Sequence, residues 1–284
     1  MPVALVSDTC HYLPRGQVEA LGIREVSLYV HDSAGASRER EITDYDAYYE
    51  RLVAGGDLPT TSQPSIGDFL AVYEPLVTAG HEIVSIHLSG GLSGTVRSAE
   101  QARATLGEAA ALVHVVDSGT ACGAQGLMLL AAAAAASTGA DATAVVARAQ
   151  AARASLDFLF ALDTLEYLRR GGRIGGAQAL LGAALKIKPI LSLDSEITAV
   201  ERVRTSRRAF ERLVALGEQL AASGRDGWVV QHTHAPEAAR ELAARCRDVF
   251  GCEPMFVSEI GPVIGAHIGP GLLGIGATQR SLLQ

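Results

Sequence analysis

Ser89-Gly90-Gly91-Leu92-Ser93-Gly94-Thr95 is the stretch whose reading decides the fold. A short apolar run, Ile83-Val84-Ser85-Ile86-His87-Leu88, leads into it and reads as a buried strand, and a helix carrying Ala99, Ala102, Arg103 and Leu106 follows it. A strand that breaks into a Gly- and Ser-rich turn and then opens a helix can receive an anion. The glycines allow close backbone approach, the helix start offers unpaired N–H groups, and the hydroxyls add donors. The spacing excludes two familiar devices. A Walker loop needs Lys-Ser/Thr after its last glycine, and a nucleophile elbow needs glycine two residues after the serine, where Thr95 stands. The plain alternative is a glycine turn that only reverses the chain.

Working outward, the chain has 284 residues, enough for one large domain or two of ordinary size. With 48% apolar residues and 19% charged, core material is ample. A net charge of −7 and the lack of a basic stripe argue against nucleic acid as a partner. Met1-Pro2-Val3-Ala4-Leu5 opens as a strand without a charged leader, and the run from Leu127 to Ala136 is too short to span a bilayer, so a cytoplasmic, non-integral protein is expected. Cys10, Cys122, Cys246 and Cys252 show no metal-site spacing and read as small core residues in a reducing compartment.

In order, Val3–Val6 is a first strand, Pro14 and Gly22 bound a short helix, and Ile23–Val30 is a second strand. A helix over Asp44–Val53 stops at Gly55-Gly56. The hydroxyl-rich loop Leu58-Pro59-Thr60-Thr61-Ser62-Gln63-Pro64-Ser65 then ends in an N-cap, Ser65, with Asp68 three residues on. Phe69, Val72, Tyr73 and Leu76 give the next helix one buried face. Leu112–Ser118 is a strand of the doubly covered parallel type, followed by helices from about Ala121 to Ser137 and between Asp141 and Ala154. This βαβ pattern predicts a mostly parallel α/β/α sheet over residues 1–155.

Residues 156–284 read as α+β with a mixed or antiparallel sheet. Phe158–Leu162 is a strand, Asp163–Ile174 a helix closed by two glycines, and Ile187–Asp194 with Ile197–Val203 an antiparallel hairpin. Helices around Phe210–Leu220 and Leu242–Val249 flank the strand Trp228–Val230. The end is a Gly- and Pro-rich segment, Ile260 to Gly271, then a last strand from Leu272.

Five polar features have competing readings. The Thr61 loop can be a proline-stiffened turn with a helix cap. His267 can be a core histidine bonded to a carbonyl. His232 and His234 alternate at a strand end and suggest a metal, but no third ligand is near in sequence, so no metal and no cofactor are expected. Arg170 and Arg173 can cap a helix C-terminus. Asp8 could serve as a base, with no nucleophile near it in sequence.

Taken together, five motifs resemble those of the DegV family of bacterial lipid-binding proteins, in its order and over essentially the whole chain. They are Pro59–Ser65, Leu88–Thr95, Asp163-Thr164-Leu165-Glu166-Tyr167-Leu168, Gly171-Gly172-Arg173-Ile174 and Gly261–Gly271. The resemblance implies two domains, 1–155 and 156–284, enclosing one long-chain fatty acid in a tunnel between them. It implies Thr61, Ser93 and His267 around the carboxylate, with Ser62, Gly94 and Arg170 beside them. Some family members are the fatty-acid-binding subunit of fatty acid kinase, presenting the carboxylate to a separate ATP-dependent subunit that makes acyl-phosphate. By that analogy Arg173 and Arg202 would meet the partner, and transient membrane contact would be compatible. Departures from the family pattern are Cys10-His11 in the first motif and Ser33–Glu41, which lacks the usual Asp-Gly pair; they bear on the pocket rim and partner surface.

The physics fits such a ligand. Each buried CH₂ contributes about 0.8 kcal/mol, so a ~16-carbon tail gains on the order of 10 kcal/mol in a dry tunnel. The carboxylate then needs donors at one end. Two rivals remain: a serine hydrolase or esterase with Ser93 as nucleophile and His267 as base, lacking a nameable third group, and a one-chain phosphotransferase, lacking a phosphate loop.

Overall fold

The computed structural model describes residues 1–33, 35–55, 58–181 and 187–284. Gly56, expected to help stop a helix, and Ala34, within the departing segment, lie outside them. Strands and helices alternate from the start: β1 (Val3–Asp8), α1 (Arg15–Ala20), β2 (Arg24–Val26), β3 (Tyr29–Asp32), β4 (Gly35–Arg38), α2 (Tyr45–Ala54), β5 (Thr60–Ser62), α3 (Ile66–Thr78), β6 (Glu82–His87), α4 (Thr95–Thr105), β7 (Val113–Asp117), α5 (Cys122–Ser137) and α6 (Ala142–Ala154). There follow β8 (Asp157–Ala161), α7 (Glu166–Arg170), β9 (Lys188–Asp194), β10 (Glu196–Val203), α8 (Ser206–Ala222), β11 (Gly227–His232), α9 (Pro236–Phe250), β12 (Phe256–Glu259), α10 (Pro262–Ile268) and β13 (Leu273–Thr278).

The first sheet has the order β2-β1-β6-β7, and every pair in it is parallel. The second has the order β10-β9-β8-β13-β11-β12, antiparallel except for the β11–β12 pair. The first falls within residues 1–155 and the second within 156–284. Continuous apolar runs explain the parallel sheet, since both its faces are covered. The expected hairpin of residues 187–203 is present as β9 and β10.

Helix α5 joins the two sheets. Its residues Gly123 to Ala133 are all buried, and it touches β1 and β6 on one side and β11 and β13 on the other. Small alanine side chains let a helix lie this deep. Its Gln125 Nε2 reaches Ser7 Oγ at 3.1 Å, and its Gly123 N–H is taken by Gln231 Oε1 from β11, so both sheets hold it by polar contacts as well.

Three readings needed revision. The expected strand 23–30 is two strands in different sheets, because Leu28 leaves the ladder: its carbonyl accepts from Glu39 N (2.9 Å) and its N–H faces Thr9 Oγ1. The Thr61 loop contains a strand. β5 pairs with β3 (Val30 opposite Thr61) in a small antiparallel sheet of order β4-β3-β5. The Gly- and Pro-rich segment contains helix α10, with Pro262 at its first turn, where a missing N–H costs nothing, and Gly269 past its end at φ 71°.

The core is shared across residue 155. One apolar cluster joins Leu28, Tyr48, Tyr49 and Leu52 with Phe160, Leu168, Leu191, Val263 and Ile268. Alternation along β8 divides the work: Phe158 and Phe160 face this cluster, whereas Leu159 and Ala161 pack under α8 with Leu213 and Leu216.

Candidate functional site

The shared cluster is not filled. A cavity runs through it whose wall is mainly apolar, including Leu28, Leu92, Phe158, Phe160, Ile197 and Ile264. Polar side chains in that wall include Thr61 and Ser62 on β5, Gln63 just after it, Ser93 on the glycine turn, Thr120 before α5, Arg173 after α7, and His267 on α10. Val263, Ile264, His267 and Ile268 share one face of α10, which is how a seven-residue helix contributes both apolar and polar side chains to the wall.

Thr61 and His267, 206 residues apart, meet at 2.7 Å between Oγ1 and Nε2. Burial, assisted by the charge of Arg173, lowers the His267 pKa from 6.5 to about 4, so the ring is neutral at pH 7. Its Nδ1 is buried without a hydrogen-bond partner among the described residues, and Gly171 lies directly against it. An orphaned lone pair costs less than an orphaned N–H. The favoured tautomer therefore carries its proton on Nε2 and donates to Thr61, which frees the threonine proton for a ligand.

Ser93 is arranged similarly. Its Oγ accepts from Thr95 N at 3.3 Å and lies 2.8 Å from the buried Thr95 Oγ1. With Thr95 donating, the Ser93 proton is free. Gly94 caps α4 without a side chain, and a Cβ there would meet the Gln63 amide at 2.7 Å. Ser62 Oγ is held by His31 Nε2 at 2.8 Å.

The glycine turn does less anion binding than its composition suggests. Gly90 N donates to the Asp117 carboxylate, and Gly91 N to Ser89 Oγ. Ser89 Oγ donates to Ser195 O at 2.5 Å, and a Cβ on Gly91 would stand 2.3 Å from the same oxygen. Part of the turn thus receives the tip of the β9–β10 hairpin and brings the two halves together.

The arginines change places relative to expectation. Arg173 lines the apolar cavity, folded back by Nη1 onto Gly171 O (2.8 Å) and by Nε onto Leu92 O (3.3 Å). Arg170 is absent from that wall; it lines a shallow groove outside it, together with Thr61, Arg173 and His267. Arg202 is exposed on the edge strand β10. Cys10 is fully buried in the cavity's cluster, whereas His11 lies beside Glu25 in a separate polar pocket.

Among the described residues no hydrolytic pair forms at the cavity: Ser93 bonds Thr95, His267 bonds Thr61, and no acid orients the ring. A Ser-His-Asp chain does exist elsewhere. Asp8 Oδ2 lies 3.1 Å from His87 Nδ1, and His87 Nε2 2.7 Å from Ser85 Oγ. All three are fully buried and outside the cavity wall, and Tyr73 OH donates to Ser85, so the chain is structural. Burial would push the Asp8 carboxyl up, but the His87 ring and the N–H groups of Leu88 and Cys10 hold it below its ordinary value.

Sequence reasoning missed the Phe158/Phe160 wall, because that strand is apolar at every position from Phe158 to Leu162 and its two faces look alike in sequence. It also missed Thr120 and Cys122 at the start of α5, which only the fold brings to the cavity.

The comparisons agree with this geometry. The family model described as "Uncharacterised protein, DegV family" matches residues 2–280. A DegV domain-containing protein of Streptomyces coelicolor is 41% identical over 281 residues, covering 98% of this chain and 99% of that one. A DegV family protein from Thermus thermophilus, whose structure is described as showing fatty acid binding, superposes with a TM-score of 0.88 at 35% identity, over 98% of this chain and 100% of that one. DegV of Bacillus subtilis, described as a fatty acid binding protein, superposes with a TM-score of 0.87 at 32% identity, over 98% and 100% of the two chains. With its parallel first sheet, mixed second sheet and shared cavity, the chain belongs to the DegV family.

Proposed function

We propose that this chain binds one long-chain fatty acid, with the tail in the apolar cavity and the carboxylate among Thr61, Ser93 and His267. The observation that carries the reading is the cavity itself: a mainly apolar cavity lined from both halves, with Thr61, Ser93 and His267 all in its wall. A buried carboxylate left unpaired would be prohibitive, whereas two or three hydrogen bonds each contribute about 1.5–3 kcal/mol. Arg173 adds positive charge; Ser62 and Gly94 shape the rim. The relatives described as binding fatty acids support the ligand class.

In this reading the protein is a cytoplasmic carrier of two domains, 1–155 and 156–284, without a cofactor of its own. It presents the carboxylate to a separate ATP-dependent kinase subunit that forms acyl-phosphate. The groove lined by Arg170, Thr61, Arg173 and His267 supports that assignment, since it puts two cations beside the head-group residues. Exposed Arg202 is the outlying candidate for partner contact.

The test of the head group is a double-mutant cycle between ligand and protein. Ser93→Ala and Thr61→Val should each weaken acid binding ten- to a hundredfold, while the methyl ester, already weaker, loses less. Strictly additive losses would remove Ser93 and Thr61 from the carboxylate.

A further inference from the structure

A second cluster of ligating groups lies away from the cavity, where α2 meets the ends of β11 and β12. His234 stands just past β11, so it does not share a strand face with His232; its backbone is left-handed, at φ 47°. The Tyr49 ring stacks on it at 5.7 Å and fixes its plane. Asp46, from the first turn of α2, brings Oδ1 to 3.2 Å from His234 Nδ1. Glu259, at the end of β12, accepts the His234 backbone N–H through Oε1 at 2.9 Å. One ligating atom from each of Asp46, His234 and Glu259 falls within 4.8 Å of the other two.

Two features point to a cation. His234 Nδ1 is buried without a hydrogen-bond partner among the described residues despite its closeness to Asp46, so the two atoms are near but not aimed at one another. Atoms bound to one zinc ion at about 2.0–2.1 Å stand roughly 3.3 Å apart in tetrahedral geometry, which is close to that spacing. Second, the two carboxylates converge without a Lys or Arg ion pair to either among the described residues.

We propose that Asp46, His234 and Glu259 form a site for a divalent cation of the zinc type, one imidazole nitrogen and two carboxylate oxygens leaving an open position for water. This donor set suits a borderline ion better than calcium or magnesium, which take oxygen ligands. The three residues come from positions 46, 234 and 259, so the ion would tie α2 to the ends of β11, which leads into α9, and β12, which leads into α10. Tyr49 already marks that seam: its hydroxyl donates to Ile260 O at 2.7 Å. His232 is not counted as a ligand, because its Nδ1 already accepts the Ala235 N–H at 3.3 Å.

The test is calorimetric titration of Zn²⁺ into the full chain, with Co²⁺ absorption as a reporter of the ligand field. Asp46→Asn changes an exposed side chain, and His234→Asn places a residue that tolerates left-handed backbone. One saturable Zn²⁺ site per chain is expected, with affinity falling more than about tenfold in each variant and in Glu259→Gln. Zn²⁺ should raise the melting temperature of the parent and not of His234→Asn. Absence of saturable binding overturns the proposal, as does binding that all three variants retain. Fatty-acid affinity measured on the same variants should stay at the parent value, so this test and that of the lipid site fail separately.

Discussion

Gly171→Ala probes the head group without replacing any residue assigned to it. Gly171 has ordinary helical backbone, φ −77° and ψ −7°, so alanine is conformationally acceptable there. Its Cβ, however, would lie 2.4 Å from His267 Nδ1. Carbon and nitrogen at ease keep about 3.5 Å apart, so the ring must withdraw by roughly 1 Å. A shift of that size from the Nδ1 side cannot leave the 2.7 Å Thr61–His267 hydrogen bond, at the other ring nitrogen, in its present geometry. Thr61, no longer fixed by the ring, then loses its hydrogen bond to the carboxylate, a bond to a charged group that contributes about 1.5–3 kcal/mol, or ten- to a hundredfold in affinity. The assay is displacement of a fluorescent fatty acid by a long-chain acid and by the matching alcohol, with thermal midpoints as the folding control. Acid affinity should fall by that factor and alcohol affinity hardly at all. Equal acid affinity in parent and variant would refute the argument that Thr61 and His267 act as one unit on the carboxylate.

Two other outcomes follow from the same geometry. The His267 pKa drops from 6.5 unfolded to about 4 folded, so the unfolded chain binds the proton first and stability falls as pH drops from 6.5 towards 4. At about 1.36 kcal/mol per pH unit the loss is at most about 3 kcal/mol, and His267→Gln should flatten denaturant midpoints across that window, leaving the share due to His232, which is shifted likewise; an unchanged profile would contradict the buried neutral ring. Acyl-phosphate formation should require a second protein and ATP, and Arg202→Ala should lower product yield with lipid still bound; loss of the lipid instead would place Arg202 in the fold or the pocket.

The parts legible in the sequence were those fixed by local pattern. Apolar runs such as Val3–Val6 and Leu112–Ser118 give the parallel sheet directly, and Ser65 with Asp68 forms the expected capping box. The residues proposed for the head group were suggested in the sequence only by motif resemblance, because Thr61 and His267 meet across 206 residues and no spacing rule connects them. Helix α10 was hidden by its glycines and prolines, which read as turn signals although Pro262 and Gly269 merely bound seven helical residues. Arg170 and Arg173 could not be told apart in sequence: the backbone turn at Gly171 and the Leu92 carbonyl decide which one folds back to the cavity. The Asp46–His234–Glu259 cluster was invisible for the same reason as the head group. Its members are local to nothing but the folded seam between α2 and the ends of β11 and β12.

The central claim is that the cavity is a fatty-acid site, and denaturing mass spectrometry of the protein as purified tests it most directly. The account predicts release of long-chain fatty acid at close to one per chain, and depletion of that lipid in Ser93→Ala purified alongside. A protein that carries no lipid, and takes up none when long-chain acid is added before the measurement, would contradict it.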